Sequence, residues 1–463
     1  MNLLFNPVLL GGIAKSYLFD VDRVWRCNEE KIRRYRDKSL RQIVKYAYTV
    51  PLYHKKYKEA GVNPREIKGI KDLKKLPLMT KKDLSGKNAE ILLPLGSNIK
   101  KYSMLKTSGS SDQPVTLHRD PYTTFRTFIG FLRILREHNI NWRKTRMVII
   151  ADLSPDSVED TYFSSTALPS LNAFFSMNHI KVFHVGVEPR KLLESITAFN
   201  PEFIGGYPGI LKMLAILKRK GKGKGIELRC MATSGALLDE YTREYIENAF
   251  NTKLFDMYGT TECSPMAFQC KKGNYHINSD FVHMDFVDPR EKETISEDSG
   301  NIVITKLFGR GTPFVKYTGI SDFVVRSDRK CDCGLHTPLI KKIEGRRVDS
   351  IILPTGEIIT PLSVTGILHT AIHRFHTDKI QQFQIIQHSM KELDVLIVID
   401  EQLRKVGPTV NELFEEIRRE YMKKIGNGIK INVREVDKIK TVRARSPTPP
   451  PVVISKVSNT LVG

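Results

Sequence analysis

The sequence predicts an α/β protein: a large N-terminal domain with mixed or parallel sheets, followed by a small C-terminal α+β domain. Three observations carry that expectation. Between residues 146 and 259, short β-rich runs (RMVIIAD, KVFHVG, FIGGYP, RCMATSG, KLFDMYG) alternate with helix-length segments such as GILKMLAILKRK and LDEYTREYIENAF. Alternation of this kind builds a largely parallel sheet covered by helices. A chain of 463 residues is longer than one simple core organises, so two domains are expected. Near residue 349 the pattern changes to strands IQQFQIIQ and LDVLIVID, a helix VNELFEEIRREYMKKI and a strand IKINVREV. The expected division is 1–348, with a mostly helical part over about 1–100, and 349–463.

In chain order, EEKIRRYRDKSLRQIVKYAYTV shows apolar residues at helical spacing, and Pro51 is expected to end that helix. IKGIKDLKKLPLMTKKDL reads as a connector, with Thr80 as the N-cap of a following helix. YTTFRTFIGFLRILREH reads as an amphipathic helix turning Phe125, Phe128, Ile129 and Leu132 toward a core. Residues 280–345 look β-rich and irregular, with NIVITKL and SDFVVRS as strands. The tail SPTPPPVVISKV is Pro-rich and therefore extended.

The hydrophobic and charged fractions, 41% and 27%, are those of a soluble globular protein. The net charge of +22 suits anionic partners: nucleic acid, an acidic membrane surface or phosphate-bearing small molecules. Lys and Arg are spread along the chain, and the one dense cluster, LKRKGKGKG at 217–225, is short and Gly-punctuated. It reads as a solvated loop, so nucleic-acid binding is not expected. The N-terminal stretch is broken by Pro7 and Gly11-Gly12 and lacks a basic start. No run approaches the ~18 apolar residues of a membrane span, and a cytoplasmic protein is expected. Its six cysteines then read as thiols or metal ligands.

Four stretches carry chemistry. KTSGSSDQPVTLHRD places Thr107, Ser108, Gly109, Ser110 and Ser111 in a turn, which serves either as an ordinary Ser/Gly turn or as a cradle of hydroxyls and N–H groups for phosphate. DMYGTTECSP gathers Tyr258, Gly259, Thr260, Thr261 and Glu262: a ring for a purine, hydroxyls for phosphate and a carboxylate for Mg²⁺. In PFVKYTGISDFVV, Asp322 is placed to accept both hydroxyls of a ribose. EGRRVDSIILPTGEIITP sets paired arginines beside Asp349, and a planar guanidinium suits phosphate.

The ordered set TSGSSDQPV, YPGILKMLA, TSGALLDEYTREYIENAF, YGTTE, YTGISD and GRRVDS resembles the adenylate-forming superfamily, in particular its phenylacetate-CoA ligase branch, from about residue 40 to about 440. The resemblance implies an acid-CoA ligase that adenylates an aryl or similar apolar carboxylic acid with ATP and Mg²⁺, then transfers the acyl group to coenzyme A. It assigns Thr107 to Ser111 to the phosphate-binding loop, Ser234, Gly235 and Ala236 to the strip beside adenine, and Tyr258 to the adenine ring. Glu262 becomes the Mg²⁺-holding acid, Asp322 the ribose acid, Arg347 its neighbouring arginine, and Asp349 the hinge of a mobile small domain. Three positions depart from the pattern. Asp112 replaces a second loop Gly, YTGISD is one residue longer than usual between Tyr and Asp, and Pro449 stands about where the family presents a C-terminal lysine. Lys438, Lys440 and Lys456 lie nearby.

Cys270 and His276 frame the turn CKKGNYH, and Cys331 and Cys333 form a Cys-x-Cys knuckle. Together they make a Cys₃His set suited to structural Zn²⁺, with His336 or His283 as replacements for His276. Relatives in the ligase branch look similar here. The alternatives to the ligase reading are an adenylating enzyme with another acceptor and a nucleotide-binding homologue that has lost turnover. Oligomeric state, a homodimer included, is left open.

Overall fold

The computed structural model describes residues 6–107, 115–173, 175–287, 295–296, 299–439 and 452–457. The first strongly periodic segment is the helix Glu29–Ala47, which buries Ile32, Leu40, Ile43 and Val44 and is capped by the Asn28 side chain accepting from Lys31 N. It stops four residues before Pro51. That proline instead opens the next helix, Pro51–Glu59, since a first-turn residue needs no N–H. Thr80 caps as expected: Thr80 Oγ1 accepts from Asp83 N while the Asp83 carboxylate accepts from Thr80 N.

Strands β1 (Ser103–Lys106) and β2 (Thr116–Arg119) form an antiparallel pair on either side of the Ser/Gly stretch. The helix Pro121–Glu137 follows, capped by Asp120, and Phe125, Phe128, Ile129 and Leu132 are buried as its spacing predicts. The five β-rich runs become β3 (Met147–Ala151), β4 (Ile180–His184), β5 (Phe203–Gly206), β6 (Cys230–Ser234) and β7 (Leu254–Tyr258). They pair in parallel in the spatial order β4-β3-β5-β6-β7. Beyond β7 come β8 (Ala267–Gln269), β9 (Tyr275–Ile277), β10 (Val282–Val287), β11 (Ile295–Ser296), β12 (Ser299–Lys306), β13 (Asp322–Ser327) and β14 (Leu339–Arg346). These extend the same sheet in antiparallel fashion through β8-β9-β14-β13-β12-β10-β11, twelve strands among the described residues.

Helices Pro189–Phe199, Pro208–Arg219 and Glu240–Phe250 cover the parallel half, burying Leu192, Leu211, Leu214 and Ile246 with Val148, Ile204 and Met231 in one apolar cluster. Each such side chain contributes roughly 1.5–3 kcal/mol by leaving water. Two of these helices end on left-handed asparagines, Asn200 and Asn251, which turn the chain directly into the next strand.

After β14 the small strands β15 (Ile351–Ile352) and β16 (Ile358–Ile359) pair with each other. A separate four-stranded sheet follows, from β17 (Ile380–Ser389), β18 (Glu392–Ile399), β19 (Lys430–Glu435) and β20 (Val453–Ser455), in the order β19-β18-β17-β20. Helices Pro361–Arg374 and Val410–Ile425 pack with it. The Pro-rich tail thus supplies β20, parallel to β17. The expected class is realised: a large mixed-sheet α/β unit followed by a smaller α+β unit. They meet through Arg219 and Asp378 at 2.9 Å, Glu244 and His369 at 3.0 Å, and Tyr241, whose hydroxyl donates to the Ile380 carbonyl.

Candidate active site

In a parallel sheet the loops leaving the carboxyl ends of the strands converge, and ligands bind there. The segments after β3, β4, β5, β6 and β7 all line one cavity of about 2120 Å³. Thr107, Ser234, Gly235, Ala236, Tyr258, Gly259, Thr260, Thr261, Glu262, Asp322 and Asp349 lie on its wall. Motifs separated by more than two hundred residues therefore share one space.

The turn after β7 is built tightly. Tyr258 donates its hydroxyl to Asp322 Oδ2 at 2.7 Å, and burial followed by the Asp322 charge holds that phenol well above its ordinary range. Gly259 is required because a Cβ there would sit 2.4 Å from Ser264 Oγ. Thr260 accepts at its carbonyl from Ser264 Oγ at 2.5 Å. The next two carbonyls meet buried cations: Arg119 Nη2 donates to Thr261 O at 2.6 Å, and Lys306 Nζ to Glu262 O at 3.3 Å. Burial pushes the Lys306 ammonium down to about 7, with the Arg119 charge adding to the effect. Burial also raises the Glu262 carboxyl, against hydrogen bonding from Thr260 and the pull of Arg346. A carboxyl held in this way can ligate a cation when it ionises.

Asp322 opens β13, directly opposite Arg346 on β14. Arg346 Nε lies 4.0 Å from Asp322 Oδ1 and lines the cavity. Arg347, the arginine singled out from the sequence, begins the short turn Arg347–Asp349 and donates its backbone N–H to Ser321 O. Sequence reasoning missed Arg119 and Lys306, and of the paired arginines it singled out Arg347, while Arg346 is the one opposite Asp322. The alternation of β14 could have marked Arg346, whereas nothing local marks the other two.

The neck of the Ser/Gly loop is closed by Thr107: its N–H donates to Val115 O and its Oγ1 accepts from Val115 N, both at 3.1 Å. Ser108, Gly109, Ser110 and Ser111 lie outside the described residues, as do Asp112, Lys440 and Pro449. Lys438 lines the cavity, while Lys456 is next to His388 Nδ1 at 3.0 Å. On the 234–236 strip Gly235 has φ +84°, and a Cβ would meet Tyr207 Cε1 at 2.5 Å, so only glycine lets that ring pack on the strip.

Behind β8 and β9 the four predicted Cys and His residues come together. The pairing of β9 with β14 brings His276 opposite Leu339 and folds the 331–336 loop back onto the 270s turn. One ligand atom from each of Cys270, His276, Cys331 and Cys333 lies within 4.8 Å of every other. Cys270 Sγ and Cys331 Sγ are 3.8 Å apart, and Cys333 Sγ and His276 Nε2 are 3.2 Å apart. The other ring nitrogen of His276 is next to Thr337 Oγ1 at 3.2 Å.

Comparison with solved structures gives the same architecture. 2-Hydroxyisobutyryl-CoA ligase in its postadenylation state superposes with a TM-score of 0.75, at 19% identity, over 95% of this chain and 93% of that one. In its thioesterification state the same ligase gives 0.60 at 18% identity, over 95% and 93%. Two curated relatives align over most of their length. The phenylacetate-coenzyme A ligase of Escherichia coli (strain K12) is 23% identical over 355 residues, covering 72% of this chain and 75% of that protein. Protein CapK of Staphylococcus aureus is 22% identical over 434 residues, covering 92% and 90%. The chain is similar, in fold and at low identity in sequence, to acyl-CoA ligases of the adenylate-forming kind. Its residues 351–444 match the family model described as the CapK C-terminal domain. Among the described residues no helix is long and apolar enough to cross a membrane.

Proposed function

We propose that this chain activates a carboxylic acid with ATP to an acyl adenylate and then transfers the acyl group to coenzyme A. The observation that carries the reading is the joining of Tyr258, Glu262 and Asp322 at the end of β7, on the wall of a cavity with room for a nucleotide and an acid. In the first step a carboxylate oxygen of the acid attacks the α-phosphorus of ATP, and the bond to pyrophosphate breaks. In the second the thiol loses its proton, its sulfur bonds to the acyl carbon, and AMP leaves. Asp322 would accept the ribose hydroxyls, the 234–236 strip and Tyr258 would flank the adenine, and Thr107 with Ser108 to Ser111 would orient the pyrophosphate. Mg²⁺ would neutralise charge on the polyphosphate, and the buried Glu262 carboxylate fits it as a ligand.

Asp349, at the junction of the two units, would serve as the hinge of a small domain spanning 349–463, with Arg347 beside it near the nucleotide. Lys438 is the cavity-facing lysine among the described candidates for the C-terminal lysine role. The aromatic wall formed by Phe128, Phe131 and Phe163 supports an acid with an apolar body, as in a phenylacetate-CoA ligase. A structural Zn²⁺ fits Cys270, His276, Cys331 and Cys333: the 3.8 Å sulfur separation is what two ~2.3 Å zinc–sulfur bonds at the tetrahedral angle give. All six cysteines are free of disulfides, which supports a reducing, cytoplasmic setting. A second reading keeps the same adenylation and passes the acyl group to an acceptor other than coenzyme A.

The test is acid-dependent pyrophosphate release from ATP and Mg²⁺ with aryl, short-chain and long-chain acids, with and without coenzyme A. Release that requires Glu262 supports adenylation, and a thioester formed only with coenzyme A selects the first acceptor. ATP binding without release by any acid argues for a homologue that has lost turnover. Metal analysis of the purified chain is expected to find one zinc per chain, removed together with stability by Cys331→Ser.

A further inference from the structure

The cavity beside Phe128, Phe131 and Phe163, where the proposed acid would sit, is not uniformly apolar. Its wall includes Glu159, on the single turn Val158–Asp160. Tyr207 donates its hydroxyl to Glu159 Oε1 at 2.6 Å, and the Tyr207 ring is wedged against Gly235. The carboxylate is therefore anchored beside the strip where the acyl group would be joined to AMP. Glu159 is deeply enclosed, yet it keeps part of its surface open to the cavity. Burial raises its carboxyl, the Tyr207 hydrogen bond opposes this, and the nearby Asp152 charge adds to the rise.

No Lys or Arg among the described residues forms an ion pair with Glu159 or Asp152. The Arg119 charge acts weakly on Glu159, and its guanidinium is engaged by Tyr162 Oη at 2.8 Å and Thr261 O at 2.6 Å. His184 Nδ1 lies 4.0 Å from Asp152. That nitrogen accepts from Leu153 N at 3.0 Å, so it offers Asp152 no proton. A plain hydrocarbon acid filling this space would seal the Glu159 carboxylate away from water without a cation, which is costly. An ammonium group would supply the missing charge-assisted hydrogen bond.

Resting on the adenylation reading, we infer that the acid activated by this chain carries a protonated amine on an otherwise apolar body, received by Glu159 with Tyr207 orienting the carboxylate. Phe128, Phe131 and Phe163 surround the apolar part, and the carboxylate to be adenylated points toward Glu262.

The experiment uses the full chain and matched probes with and without an amine: 4-(aminomethyl)benzoate against 4-ethylbenzoate, 6-aminohexanoate against heptanoate, and 3-aminopropanoate against butanoate. Pyrophosphate release gives kcat and KM for each, and calorimetry gives binding without turnover. The amine member is expected to lead at least one pair by about tenfold or more in kcat/KM, the scale of one charge-assisted hydrogen bond. Glu159→Gln is expected to raise the KM of that acid about tenfold and close the gap within the pair, with Tyr207→Phe acting in the same direction more weakly. Equal or better use of the uncharged members overturns the inference while leaving adenylation standing. A gap that survives Glu159→Gln, or a variant that raises the KM for ATP in place of that for the acid, also overturns it. Amine-selective binding that needs Glu159, without pyrophosphate release, supports the inference and sinks the adenylation reading. Failure of every amine member to bind overturns the inference.

Discussion

The two ends of the cavity are built in different ways. At the end proposed for the nucleotide, Tyr258 to Glu262 come from one turn, and their backbone is clamped by Ser264, Arg119 and Lys306. At the end proposed for the acid, the wall is assembled from the helix Pro121–Glu137, the 158–163 segment and Tyr207, each from a different part of the chain. The contrast teaches where chemistry and selectivity reside. A reaction common to many acids needs a fixed set of groups around the phosphates, which one rigid turn supplies. Selectivity among acids needs only a wall, and separate side chains can compose one.

The largest expected effect tests the nucleotide end. Glu262→Gln keeps the shape of the turn but removes its charge, and pyrophosphate release is expected to fall by about 100-fold or more, with the KM of the acid little changed. An equal loss in acid affinity would erase the distinction between the ends. Arg119→Met tests their connection, because Arg119 joins Thr261 to Tyr162 across the site. Two buried acceptors lose their donor, so urea unfolding should report a loss of about 2–4 kcal/mol, and both substrate KM values should rise.

Phe128→Ala acts on the acid end alone. Widening that wall is expected to raise the acid KM by roughly tenfold and leave the KM for ATP in place, as steady-state kinetics would show.

Lys306→Met should give the most pH-dependent effect. With its pKa pushed down from 10.5 to about 7, Lys306 carries its full burial cost below pH 7, where folded and unfolded chains are both protonated. From pH 7 to about 10.5 the unfolded chain holds the proton that the folded chain has released, so the parent's stability from this group rises with pH. The variant's advantage over the parent in urea midpoint should therefore be larger at pH 6 than at pH 9. A difference that does not change with pH would mean that Lys306 is not a buried titrating group.

Much of the scaffold was legible because it is written in local patterns. The β3 to β7 alternation, the helix Pro121–Glu137 with its buried Phe125 and Phe128, and the Thr80 cap all follow from spacing over a few residues. Pro51 shows the limit of such reading: a proline signals a boundary, and which side of it the helix occupies depends on packing. Arg347 shows another. The paired arginines were visible, yet the alternation of β14 and its register with β13 put Arg346 opposite Asp322.

By itself the sequence determined the order of the elements, the turn chemistry of Tyr258 to Glu262 and the supply of four zinc-type ligands, because each depends on neighbours along the chain. Tertiary structure alone decided that Arg119 reaches Thr261 across 142 residues, that Tyr207 holds Glu159 across 48, and that His276 meets Cys333 across 57. No periodicity encodes such contacts. They arise when a twelve-stranded sheet brings distant loops to one edge, and the low dielectric there turns separate polar side chains into a site.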